Sequence, residues 1–418
     1  MPKVIPFEGL LFNREKVSGD DVIAPPYDVI APECKDLLYN KSPYNIVRID
    51  FGKELPEDSD TSNKYHRAAA LLDEWTREGI LVRDAEPVFY AYEMDYSVMG
   101  QKRMLKGIFG LVELVELGSG VYPHEMTHSK PKADRMNLMR HCEANISPIY
   151  SIYSSSERVT SDILDAIGGD PYLTAKDADG AVHKLFRISG PAKTELISKE
   201  LSQKAVFIAD GHHRYEVALE FKKEMDLKTG RKDDKPRPWD YVLMFLANMS
   251  DEGITILPTH RLIRGISDKH AVLDKLESDF ELTECPADAD IGSAVLARGE
   301  HAFGLYLNAD RKWHVLKYLG GKLKDIHPAL NNLDVVVLHE LILKRDLGVT
   351  EVAYEMDVRE AVGKVDGGEF DALFFLNPTA VEDIERVASA GLRMPPKSTY
   401  FYPKLLTGMV INKFQEKV

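Results

Sequence analysis

Cysteine is scarce in this chain. Its three copies in 418 residues, Cys34, Cys142 and Cys285, lie far apart and form no Cys-x-x-Cys pair. That excludes a disulfide framework and a zinc ribbon, and it fits a reducing cytoplasm. Long apolar runs are also missing. No segment reaches the ~18 consecutive apolar residues of a membrane span, and Met1-Pro2-Lys3-Val4-Ile5-Pro6 leads to Glu8 and not to an apolar signal core. A soluble, unexported, cytoplasmic protein without a membrane partner is expected. Positive charge is short as well: 53 Lys and Arg face 67 Asp and Glu, a formal net charge of -14. Extended nucleic-acid binding depends on neutralising phosphates with cations, so this balance argues against it, although one local basic site could still hold a small anion. Internal repeats, low-complexity tracts and a clear helix-turn-helix are absent.

What is present is a chain with 44% hydrophobic residues, enough for a large core and for two or three domains. Its most informative segment runs from Ala205 to Leu219, where the apolar run Ala205-Val206-Phe207-Ile208-Ala209 breaks at Asp210-Gly211 and restarts as a helical pattern from His212. The spacing predicts a strand, a tight turn and a helix start. A helix N-terminus offers unpaired backbone N–H groups and a partial positive charge, so Asp210, Gly211, His212, His213 and Arg214 form a compact candidate anion site suited to phosphate. The plainer reading is that Asp210 caps the helix, Gly211 frees the turn and Arg214 is solvated. Capping, however, requires neither paired histidines nor a cation opposing the helix dipole in the first turn.

Elsewhere, Asn63 to Gly79 reads as an amphipathic helix, and Pro87 to Ser97 with Lys102 to Leu117 as a pair of strands. A long loop is expected from Leu117 through Pro131, then a helix over Ala133 to Ala144 and a strand over Ile146 to Tyr153. Helices are expected at Val159 to Ile167 and Lys193 to Gln203, and a strand at Trp239 to Ala247. Met225 to Pro238 reads as an exposed connector. Beyond Gly265, helical patterns cover Asp268 to Phe280 and Asn331 to Leu347, with strands at Ala302 to Leu307 and Asp371 to Leu376. The class is mixed α/β. Boundaries near Asp84 and Gly265 divide the chain into an N-terminal segment (1–84), a core carrying the Asp-Gly-His-His-Arg motif (85–265) and a C-terminal α/β domain (266–418).

Asp-Gly-His-His-Arg at a strand-to-helix turn resembles the motif of the ParB/sulfiredoxin superfamily, most closely the version in the free serine kinases. Sulfiredoxins place a cysteine just before the His-Arg pair; His212 stands there in this chain, so thiolate chemistry is not implied. The whole chain resembles the family known as domain of unknown function 1015. The segments that carry this are Ala24-Pro25-Pro26-Tyr27-Asp28, Pro123-His124-Glu125-Met126-Thr127, the motif itself, Pro258-Thr259-His260-Arg261, and Met394 through Lys404. Likeness to the free serine kinases implies ATP or ADP as donor and a small hydroxylated metabolite, such as an amino acid, as acceptor. Phosphoryl transfer also calls for anion clamps, a metal such as Mg2+ and a group that takes the acceptor's proton. The alternative is a ParB-like nucleotide switch without transfer activity.

His124-Glu125-Met126-Thr127-His128 matches the His-Glu-x-x-His spacing of zinc metalloproteases. Pro123 before it, Ser129-Lys130-Pro131-Lys132 after it and the lack of an apolar stripe argue against that helix, so no resident zinc is expected. The family resemblance instead implies Glu125 and His124 in a cleft. They and His213 are the catalytic candidates, with Glu125 as base. Arg135 and Lys397 join the motif as phosphate ligands, and Tyr27, Asp28, His260 and Arg261 as cleft residues. Lys397-Ser398-Thr399 lacks the glycines of a Walker loop. The Pro395-Pro396 pair suggests an extended segment presenting Lys397 and Ser398.

Overall fold

The computed structural model describes residues 1–125, 129–266, 268, 271–286, 288–349 and 351–415, with only the backbone of 129–131. It is mixed α/β, and its chain forms two compact units. The first comprises 1–123, 127–254 and 403–418; the second comprises 124–126 and 255–402. No described helix is long and apolar enough to cross a membrane.

The first unit is built on a nine-stranded mixed sheet. Its strands are β1 (Val4–Ile5), β2 (Phe89–Val98), β3 (Gln101–Glu113), β4 (Val121–Pro123), β5 (Ile149–Tyr153), β6 (Leu173–Lys176), β7 (Val182–Ile188), β8 (Val206–Asp210) and β9 (Tyr241–Asn248). They run in the order β4-β8-β5-β9-β3-β2-β7-β6, with β1 against β3. The β2–β3 hairpin closes through Met99 and Gly100 at φ +49 and +76, the left-handed pair that a two-residue hairpin turn requires. Helix α1 (Lys64–Arg77) starts at Asn63, whose side chain accepts from the amides of Tyr65 and His66, and it buries Ala68, Leu72 and Trp75 at helical spacing. Helices α2 (Ser129–Cys142) and α3 (His212–Thr229) supply apolar residues, among them Met136, Met139, Tyr215, Val217 and Phe221, to a core shared with Ile149, Ile208 and Met244 of the sheet.

Several sequence expectations need correction here. The long loop contains β4, which pairs in parallel with β8, and α2 starts at Ser129. The expected connector from Met225 is helical as far as Thr229, because α3 continues to Gly230, its left-handed C-cap. Strands β6 and β7 were not foreseen. Their apolar residues are interrupted by Lys, His and Arg, and pairing with β2 is what organises them.

The second unit holds a six-stranded antiparallel sheet and a two-stranded one. The strands are β10 (Thr255–Leu257), β11 (His260–Ile263), β12 (Phe280–Cys285), β13 (Ala302–Leu307), β14 (Trp313–Tyr318), β15 (Val352–Glu355), β16 (Ala372–Phe375) and β17 (Tyr400–Tyr402). The large sheet runs β12-β14-β13-β16-β11-β15, and β10 pairs with β17. Helices α4 (Ile291–Ala297) and α5 (Val358–Asp366) bury Ile291, Val295, Ala361 and Val365 in its core. The helix expected over 268–280 is short, Ala271–Leu276, and Phe280 opens β12. The one expected over 331–347 is α-helical at Asp334–Val337 and π-helical at Leu338–Asp346.

Candidate phosphate site and a polar cluster in the second unit

The sequence-predicted turn forms as expected. Strand β8 ends at Asp210, Gly211 takes φ +96, and α3 begins at His212. Gly211 has no side chain to cap the helix. The amides of the first turn of this 18-residue helix therefore present their positive end at the strand's tip. A Cβ at position 211 would lie 2.9 Å from Arg214 Nε, so the guanidinium folds back against the turn.

Asp210 is bound on both oxygens. Its Oδ1 accepts from Lys404 Nζ at 2.8 Å and its Oδ2 from Arg214 Nη2 at 2.6 Å. Burial opposes ionisation of this carboxyl. Lys404, Arg214 and His212 outweigh it and hold the group well below the usual carboxylate value. Arg214 is 9% exposed and also donates to the carbonyl of Pro148. It works as a latch between the turn and the residues before β5. His212 is buried and His213 half-buried.

Behind the turn lies a second charged group. Arg135 of α2, 6% exposed, donates to Asp50 Oδ1 and O, both at 2.8 Å, and to Asp134, with its guanidinium 3.9 Å from the Tyr27 ring centroid. Burial pushes the Tyr27 hydroxyl up to about 12 against the pull of Arg135. Burial likewise raises Asp50, again against Arg135 and Arg214. A cavity of about 30 Å³ is lined by Asp50, Arg135, Asn145, Ser147 and Arg214. Arg135 and Arg214, far apart in sequence, thus line one cavity. Two further cations of α2 are answered by carboxylates: Lys132 by Glu216 at 2.5 Å and Arg140 by Glu224 at 2.7 Å. Asp28 stands exposed in the short turn Tyr27–Val29.

The remaining expected site residues belong to the second unit. His124 is fully buried, with Nε2 2.7 Å from Thr399 Oγ1. Glu125 Oε1 accepts from Thr399 N at 3.2 Å and Oγ1 at 3.1 Å, and its backbone bridges to Met394. That extended pairing is not the mid-helix setting of a metalloprotease motif, whose last three residues, Met126 to His128, lie outside the described residues. Arg261, expected as a cleft residue, is 1% exposed because β11 lies between β15 and β16 and is no edge strand. His260, also 1% exposed, accepts from Leu376 N on Nδ1 and stacks on Phe375; burial and then Arg261 push it down to about 4, so it is neutral. Lys397 is exposed at φ +57, and Ser398 Oγ closes back on Pro395 O. The expected extended segment is therefore a turn.

A family model described as "Protein of unknown function (DUF1015)" matches residues 4–336. The chain belongs to this family. No curated protein matches the sequence. Among solved structures, a conserved hypothetical protein from Pyrococcus furiosus is 17% identical, with 72% of this chain and 92% of that one covered, at a TM-score of 0.35. A free serine kinase in complex with AMP is 16% identical over 71% and 86%, TM-score 0.36. SbnI with a C-terminal truncation, from Staphylococcus aureus, is 13% identical over 72% and 85%, TM-score 0.34.

Sequence reasoning about this family member did not single out Lys404 or Asp50 individually. Lys404 sat at the end of a quoted motif, and its pairing with Asp210 spans 194 positions. Nothing local marks Asp50, whose role comes from the burial of Arg135 beside it.

Proposed function

We propose that this family member is a nucleotide-binding phosphotransferase. In this reading the Asp210–Arg214 turn holds the phosphates of ATP or ADP, and a small hydroxylated metabolite such as free serine accepts the phosphoryl group. The observation that carries the reading is the N-terminus of α3, set at a strand tip, opened by a left-handed glycine and flanked by Lys404 and Arg214. Asp210 holds both cations beside the turn. The motif is the part of the first unit for which we infer a ParB/sulfiredoxin-like ancestry.

Magnesium would enter with the nucleotide, held mainly through phosphate oxygens and water. It would neutralise charge on the transferring group. Both oxygens of Asp210 are engaged by cations, so Asp210 is not the carboxylate that would hold it in this arrangement. Glu125 is the base in this reading, a carboxylate kept in place by two hydrogen bonds from Thr399. His124 would steady the same threonine, and His213, in the first turn of α3, would contact the phosphate.

The test is direct. The purified chain is incubated with ATP or ADP, Mg2+ and a pool of hydroxylated metabolites including serine, and followed by phosphorus NMR. A new phosphomonoester resonance is the expected outcome. Nucleotide hydrolysis alone would favour the nucleotide switch, and no nucleotide binding at all would end both readings.

A further inference from the structure

Arginine is rarely left in a protein interior without a counter-ion, because a buried charge is costly unless paired. Arg261 is such a case. It is 1% exposed, its Nη1 donates to Thr259 O and its Nη2 to Lys397 O at 3.0 Å, and among the described residues no carboxylate is ion-paired with it. Its Nε is buried without a hydrogen-bond partner.

Two further unpartnered buried polar atoms belong to its surroundings. Thr259, whose carbonyl Arg261 holds, has a buried Oγ1 with no partner; so does His339, on Nε2. Burial and the charge of Arg261 push His339 down to about 4, so its ring is neutral and can donate or accept. His339 lies in the π-helix Leu338–Asp346, a conformation often found where a side chain is re-aimed at a functional site. The Tyr354 ring, 5.5 Å from the guanidinium, closes another side. Thr259 is thus tied to Arg261 through its carbonyl, and His339 lies within reach of the same charge. In a stable core such groups are normally satisfied.

We propose that Arg261, with the Thr259 hydroxyl and His339 Nε2, forms a binding site in the second unit for the carboxylate of a small monocarboxylic acid, of which an amino acid is one. A carboxylate offers about four acceptor positions in a plane, matching the guanidinium fork and its neighbours. Its single charge balances the single charge of Arg261. The field of Glu125 already reaches Arg261, so a dianionic phosphate would leave excess buried negative charge. The site does not depend on the nucleotide reading, and the two fail separately.

The experiment is calorimetric titration of the full chain with L-serine, acetate and inorganic phosphate, and separately with ADP. Wild type is expected to bind L-serine or acetate. Arg261→Met should weaken that binding at least tenfold, with ADP affinity unchanged. Thr259→Val removes the unpartnered hydroxyl at nearly constant volume. It should weaken carboxylate binding roughly threefold to tenfold while leaving the thermal midpoint of the free protein equal or higher, the reverse of what a structural hydroxyl shows. If Arg261→Met does not fold, the valine variant carries the test. Failure of wild type to bind either carboxylate, carboxylate affinity unchanged in both variants, or phosphate bound in place of carboxylate with the same dependence on Arg261 would each overturn the proposal.

Discussion

Gly211→Ala is the sharpest test of the turn. At φ +96 an L-residue costs roughly 1–2 kcal/mol over glycine, before any contact is counted. The added Cβ would also sit 2.9 Å from Nε and 3.0 Å from Cζ and Nη2 of Arg214. The guanidinium cannot retreat freely, since it is held by Asp210 at 2.6 Å and by the carbonyl of Pro148. Releasing charge-assisted hydrogen bonds of this kind costs about 1.5–3 kcal/mol. The single substitution should therefore destabilise the first unit by roughly 2.5–5 kcal/mol, adding the two terms. Arg214→Ala alone should cost about 1.5–3 kcal/mol by losing the same bonds. In the double variant the guanidinium is already gone, so only the backbone term of Gly211→Ala remains. The two changes should be non-additive by about 1.5–3 kcal/mol, the energy of the latch counted once. Urea denaturation of the four proteins, with unchanged slope, measures this. Additivity within about 0.5 kcal/mol would show that the glycine and the guanidinium act independently, and the account of the turn would fail.

Lys404→Ala should weaken ADP binding at least tenfold by calorimetry, as one charge-assisted contact is worth about 1.5–3 kcal/mol; equal affinity would remove Lys404 from the site. Glu125→Gln should reduce turnover by about 10²-fold while leaving ADP affinity within a few fold; full turnover would make the residue structural. The folded-state pKa of Asp210 lies below its unfolded value of about 3.9, so its stabilising contribution is complete above that pH and is lost as pH falls further. The urea midpoint of wild type should accordingly drop more steeply below about pH 4 than that of Asp210→Asn, and parallel profiles would contradict the ion-pair assignment.

Local chemistry alone determined a good part of this protein. The strand, the Asp-Gly break and the helix start over 206–219, the helix opening at Asn63 and the existence of the strand pair before the loop all follow from residue-level preferences: periodicity, a side chain that accepts amide hydrogens, a glycine where φ must be positive. Such signals act over a few residues and are readable in order. The tertiary structure decided the partners. Asp210 meets Lys404, and Arg135 meets Asp50, because burying one charge selects whichever opposite charge the packed sheet and helices bring to it. The fate of Arg261 was likewise outside the reach of local pattern. His260 and Arg261 are expected in a cleft, and they are buried in a sheet because β15 and β16, about 90 and 110 residues further on, pair with both sides of β11. Strand pairing of that kind depends on contacts made across the whole fold, where local propensity carries no information about which strand ends up inside.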